Sequence, residues 1–139
     1  MKVLVDTSIW SMALRRSGNL SNKDQSLVQE LSDLIYDLKV VMIGPIRQEL
    51  LSGISSPVQY ESLIEILQAF PDLPLPQMYY ERAAEFYNIC RKVGIQGSHI
   101  DFLICATAAE AKMKIFTTDN DFRHYTKHLP ITLYQPVNA

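Results

Sequence analysis

Asp119 and Asp121 lie one residue apart in 117-TTDNDF-122, directly after the apolar run at 114–116. A turn needs one such residue. A second gains little unless the pair also caps a helix or holds something positive. Three more acids could take part in holding a positive group. They are Asp6 after 3-VLV-5, Glu49 within 45-PIRQELLSG-53, and Asp101 at the head of 101-DFLICATA-108. Carboxylates a few ångströms apart repel by roughly 4 kcal/mol per pair at an effective dielectric near ~20. A cap offsets only about 1 kcal/mol. If these acids converge, a cation must neutralise them. Mg²⁺ and Mn²⁺ prefer oxygen ligands, and no Cys/His cluster competes for zinc. Such an ion can lower the pKa of a water, orient a phosphodiester and stabilise a leaving oxygen. Thr7, Ser8, Thr117 and Thr118 flank the same motifs and could orient the carboxylates.

Each acid also has an ordinary local role open to it. Asp6 could cap a helix beginning at Thr7. Ser98 and Asp101 fit a capping box. Asp119 could cap a helix at 122–128, with Asp121 in its dipole-favoured first turn. Glu49 could be a solvated helix residue, and the four hydroxyls could serve turns and caps alone. What separates the two readings is whether the elements bring the acids together.

Short β-branched or apolar runs predict strands at 3–5, 40–43, 114–117 and 131–134. Apolar residues at helical spacing predict helices over 7–16, 22–39, 44–53, 57–70, 78–93, 98–112 and 122–128. The segment 98–112 is apolar nearly all round and should be a central packed helix, whereas 71-PDLPLP-76 reads as a connector or at most a short edge strand. Strands alternating with helices imply an α/β fold with a mostly parallel sheet covered on both faces. In such sheets, sites form beyond the carboxyl ends of the strands. All five acids fall there or near a helix N-terminus.

A chain of 139 residues is expected to form one domain with a real core. Its net charge of −2 excludes the broad basic field of a nucleic-acid coat protein, but leaves room for a nuclease with a local basic rim. Arg15, Arg16, Arg47, Arg123, His124 and Lys127 are the cations nearest the acidic motifs. Cys90 and Cys105 lie within apolar helical patterns, outside any metal spacing, as buried free thiols of a reducing compartment would. No run approaches the ~20 apolar residues of a membrane span, and the charged start MKVLVD predicts no signal peptide. A cytoplasmic protein is expected.

The motifs in their order resemble the PIN-domain family, and within it the VapC-type toxin ribonucleases of toxin–antitoxin pairs. The carrying segments are 3-VLVDTSIW-10, 45-PIRQELLSG-53, 101-DFLICATA-108 and 117-TTDNDF-122. The resemblance implies a three-layer α/β/α fold over residues 1–139 and Mg²⁺- or Mn²⁺-dependent cleavage of RNA. Asp6, Glu49, Asp101 and Asp119 would form the acidic set, with Asp121 auxiliary. Asp6 and Asp101 would be the direct metal ligands. It also implies a homodimer and a cognate antitoxin. The places to look for such partners are the stripe at 58–70 and 78-MYYERAAEFY-87. There Tyr79, Tyr80 and Tyr87 suit a partly wet interface, while Leu63, Ile64, Leu67, Phe86 and Ile89 should be core.

Two other readings compete. A PIN-like module that binds RNA or protein without cleaving would share the fold. Phosphoryl transfer on an aspartate would need a companion acid after the first strand, where Asp6 is followed instead by Thr-Ser-Ile-Trp.

Overall fold

The computed structural model describes residues 1–15 and 18–137. Three strands, β1 (Val3–Val5), β2 (Val40–Val41) and β3 (Lys114–Phe116), pair in parallel in the order β2-β1-β3. Successive strand residues point to opposite faces. Val3, Leu4 and Val5 are nevertheless all 1% exposed or less, so both faces of the sheet are covered, as expected for a three-layer α/β/α fold.

Among the described residues seven helices do the covering: α1 (Thr7–Leu14), α2 (Asn22–Tyr36), α3 (Gly44–Leu51), α4 (Pro57–Leu67), α5 (Gln77–Lys92), α6 (His99–Ala111) and α7 (Asp121–Tyr125). Local chemistry sets their ends. The hydroxyls of Ser21, Ser56 and Ser98 accept from the backbone N–H three residues on, at 3.0, 3.3 and 3.0 Å. Pro45 and Pro57 sit in first turns, where a missing N–H costs nothing. Gly94, at φ +79°, turns the chain after α5. The helix expected over 98–112 is indeed central: Phe102 through Ala108 are all buried. It packs chiefly on α5 and against β3.

Several boundaries differ from the sequence expectation, each for a visible reason. The helix expected over 22–39 ends at Tyr36, because Leu38 turns left-handed (φ 57°) and Lys39 N–H bonds back to the Leu34 carbonyl at 3.0 Å. The strand expected over 40–43 stops at Val41; Met42 instead makes a single parallel bridge to Asp72 in the Pro-rich connector. The last expected strand, 131–134, is only a bridge between Ile115 and Leu133. Pro130 and Pro136 flank it and cannot donate to a ladder. Ile89, expected in the core, is 38% exposed, whereas Phe86, Leu63 and Leu67 are buried. The helix expected to reach Arg16 is described only to Leu14, and Arg16 lies outside the described residues.

The C-terminal segment is anchored by a buried acid. Glu30, 4% exposed, accepts from the Tyr134 hydroxyl at 2.6 Å and from Val137 N–H at 3.2 Å. Replacing Glu30 with Ala should lower unfolding free energy by about 2 kcal/mol, the range for hydrogen bonds to a charged group. It should also expose 131–137 to protease. Urea unfolding with limited proteolysis checks both effects, and an unchanged midpoint would remove Glu30 from this role.

Candidate metal centre

With β1 between β2 and β3, the chain runs from β1 to one neighbour and later returns to the other side. The crevice beyond the carboxyl ends of β1 and β3 is therefore a topological switch point. Asp6 follows β1 directly, and its N–H donates to the Phe116 carbonyl at 2.9 Å, continuing the ladder by one residue. Asp119 and Asp121 follow β3, and Asp101 lies in the first turn of α6. One carboxylate oxygen from each of Asp101, Asp119 and Asp121 can be chosen so that all three lie within 4.8 Å of one another.

Asp6 adjoins this trio through hydroxyls. Its Oδ2 accepts from Thr117 Oγ1 at 2.7 Å and from Ser8 Oγ at 3.0 Å. Thr117 Oγ1 in turn accepts from Asp119 N–H at 3.0 Å, and Ser8 Oγ accepts from Thr118 N–H at 3.1 Å. Asp6 occupies the N-cap position of α1, but its side chain makes no capping bond. Asp6 is 7% exposed, and its carboxylate is aimed at the turn after β3 instead. Glu49 is one step further out, with Oε1 accepting from Thr7 Oγ1 at 2.7 Å. Thr7 and Ser8 thus hold one acid each.

Asp119 and Asp101 also serve their local turns. Asp119 Oδ1 accepts from Asp121 N–H at 2.9 Å, an Asx turn that starts α7. Of the capping box expected at Ser98, the bond from Asp101 N–H to Ser98 Oγ forms, while Asp101 Oδ2 accepts from the Tyr125 hydroxyl at 2.7 Å. Burial holds the Asp101 carboxyl above its ordinary range, and the charges of Asp119 and Asp6 push the same way. The hydroxyls of Tyr125 and Ser98 pull it back in part. Tyr125 is not among the site residues expected from sequence. The signal for it was its i, i+3 spacing from Phe122, which marks a buried phenol in need of an acceptor.

Among the described residues no ion pair neutralises these acids; the pairs that form are Arg47–Asp72, Arg82–Glu85 and Arg82–Glu110. Arg47 is removed from the expected basic rim. Its Nε donates to Asp72 at 2.9 Å, Nη1 to the Leu67 carbonyl at 3.1 Å, and Nη2 to the Phe70 carbonyl. Arg123, His124 and Lys127 remain exposed, on and just after the helix that begins at Asp121. Cys105, fully buried, has its thiol pushed up by burial and by nearby Asp101, and burial also raises Cys90. Both are the inert free thiols expected. An all-oxygen set, with Asp6 buried, Asp101 half-buried and Asp119 and Asp121 exposed, fits a hard divalent cation by charge and by ligand type.

Fold and site together define a parallel α/β protein with an acidic centre at the carboxyl edge of its sheet. The chain belongs to the PIN domain family, whose model matches residues 3–128. It is 28% identical over 123 residues to "VapC ribonuclease Mb1587" of Mycobacterium bovis and equally to "Ribonuclease VapC11" of Mycobacterium tuberculosis, covering 86% of this chain and 88% of each relative. Among solved structures it resembles FitAcB from Neisseria gonorrhoeae, with a TM-score of 0.76 at 21% identity, over 99% of both chains. It also resembles VapBC2 from Rickettsia felis bound to a DNA fragment from their promoter, with a TM-score of 0.75 at 17% identity, over 96% of this chain and 98% of that one.

Proposed function

We propose that the protein is a divalent-cation-dependent endoribonuclease acting as the toxin of a toxin–antitoxin pair, with residues 1–139 working as one PIN unit. The observation that carries this reading is the convergence of Asp101, Asp119 and Asp121 within 4.8 Å at the switch point, with Asp6 hydroxyl-linked to them. Likeness to the two named VapC ribonucleases points to RNA as substrate.

Asp101, Asp119 and Asp121 would hold Mg²⁺ or Mn²⁺, with Asp6 beside them as a further ligand and Glu49 supporting from Thr7. When bound, the ion supplies charge stabilisation to a phosphodiester under attack and to its leaving oxygen. The chain's own contribution is placement. Ser8 and Thr117 fix the Asp6 carboxylate, and Thr7 fixes Glu49. The Asx turn at Asp119 fixes the direction in which Asp121 leaves β3. Arg123, His124 and Lys127 lie close enough in sequence to steer an RNA backbone toward the acids.

A net charge of −2 leaves this chain poorly suited to bind DNA alone. The DNA-bound state of VapBC2 therefore supports a partner that supplies the basic surface. Tyr80, 52% exposed, lines an apolar groove of about 440 Å³ together with Ala83, Tyr87, His99 and Leu103. We place protein contacts there, whether with the antitoxin or a second copy of the chain. None of the described helices is long and apolar enough to cross a membrane, which suits action in the cytoplasm.

Purified protein incubated with labelled tRNA, rRNA and mRNA should cleave at least one of them with Mn²⁺ or Mg²⁺ and none in EDTA. RNA binding without cleavage under all of these conditions would move the chain to a non-catalytic RNA-binding module.

A further inference from the structure

We propose that Tyr125 is a positioning residue for Asp101, and that residue 97 is glycine so that the Tyr125 hydroxyl can reach it. This rests on the acid cluster being the divalent-cation site of the proposed function.

Tyr125 ends α7 with its side chain fully buried. Its ring is held between Phe102, at 5.0 Å between centroids, and Phe122, at 5.2 Å. Packed on both neighbours, the ring delivers its hydroxyl to one place, 2.7 Å from Asp101 Oδ2. That bond crosses 24 residues of sequence and links two elements that both carry cluster acids. Asp101 lies on α6; Asp121 begins α7, four residues and about one turn before Tyr125. Tying Tyr125 to Asp101 therefore sets the spacing between the carboxylates of α6 and α7. It also occupies Oδ2 and fixes the carboxylate plane, leaving the other oxygen to meet an ion.

Gly97 is the second half of the device. A Cβ placed on it would stand 2.3 Å from the Tyr125 hydroxyl oxygen and 2.9 Å from two ring carbons of Phe102. Both distances are below van der Waals contact, so any side chain at 97 displaces the phenol from Asp101. A core that needed only an aromatic at 125 would be satisfied by phenylalanine and would gain nothing from the oxygen.

The test is Mn²⁺ titration by calorimetry on the parent, Tyr125→Phe, Asp101→Asn and the double variant, with melting curves to confirm folding. Tyr125→Phe should bind Mn²⁺ about 10- to 100-fold more weakly, the usual consequence of removing a group that orients a ligand. In the Asp101→Asn background the same change should cost nothing further, which a general packing defect would not reproduce. Gly97→Ala, which keeps the hydroxyl but moves it, should weaken Mn²⁺ binding in the same direction and serves if Tyr125→Phe does not fold. Parent-like Mn²⁺ affinity in Tyr125→Phe, or in a folded Gly97→Ala, overturns the inference while the cation site stands. A parent that binds no Mn²⁺ overturns both.

Discussion

Asp6→Asn is expected to reduce RNA cleavage by roughly a thousandfold, since a cation and its ligands supply several kcal/mol of charge stabilisation and each ~1.4 kcal/mol is tenfold in rate. The fold should survive the change. Asparagine has nearly the same shape, and its carbonyl oxygen can accept from the Ser8 and Thr117 hydroxyls that now bond Asp6 Oδ2. Removing the charge also relieves Asp101, whose carboxyl is pushed up in part by Asp6. The melting temperature without divalent ions should therefore hold or rise while activity collapses. A structural aspartate would behave in the opposite way, losing stability first. Parallel initial-rate assays and melting curves decide between the two, and parental cleavage by the Asn variant would take Asp6 out of the reaction.

The parts of this arrangement that could be read from sequence are those set by local pattern or by a topological rule. Three consecutive apolar residues before Asp6 and a short apolar run before Thr117 are enough to specify buried strands, and strand–helix alternation then dictates parallel pairing. Once the strands are parallel, Asp6 and Asp119 must emerge at the same edge. Asp101 joins them because α6 leads into β3, although nothing in 98-SHID-101 distinguishes a helix cap from a ligand; here the Ser98 hydroxyl caps the Asp101 backbone N–H and the Asp101 carboxylate is left for Tyr125.

What stayed illegible depends on distant partners. Arg47 looks like a rim cation until the carbonyls of Leu67 and Phe70 and the carboxylate of Asp72 claim it. Leu133 shows a strand's composition but gains only one bridge to Ile115, because Pro130 and Pro136 on either side cannot extend the ladder along the edge of β3. The spacing of Tyr125 from Phe122 marks it as a buried phenol but does not name its acceptor, which lies at position 101 with room left by glycine at 97.

Mn²⁺ should raise the melting temperature of the parent by on the order of 10 °C when present at a hundredfold excess over its dissociation constant, a linkage of about 2.7 kcal/mol. Without the ion, the sign of the Asp101 contribution follows from its raised carboxyl. A group bound to its proton more tightly in the folded state stabilises that state below the unfolded value, about 3.9 for aspartate. The contribution is lost as pH rises through the folded value. At neutral pH the ion-free parent therefore carries an ionised Asp101 that burial and neighbouring charges oppose. Asp101→Asn lacks that penalty and keeps an acceptor for the Tyr125 hydroxyl. Its ion-free melting temperature should exceed the parent's at pH 7, and the gap should close as pH falls through the raised folded value of Asp101, where the parent takes up the proton. Adding Mn²⁺ at pH 7 should reverse the order, because only the parent retains the full set of carboxylates. Scanning calorimetry of both proteins at neutral and acid pH, with Mn²⁺ and with EDTA, measures each of these effects. An Asn variant no more stable than the parent in EDTA, and stabilised by Mn²⁺ just as much, would mean that Asp101 neither suffers from its neighbours nor needs a cation to tolerate them.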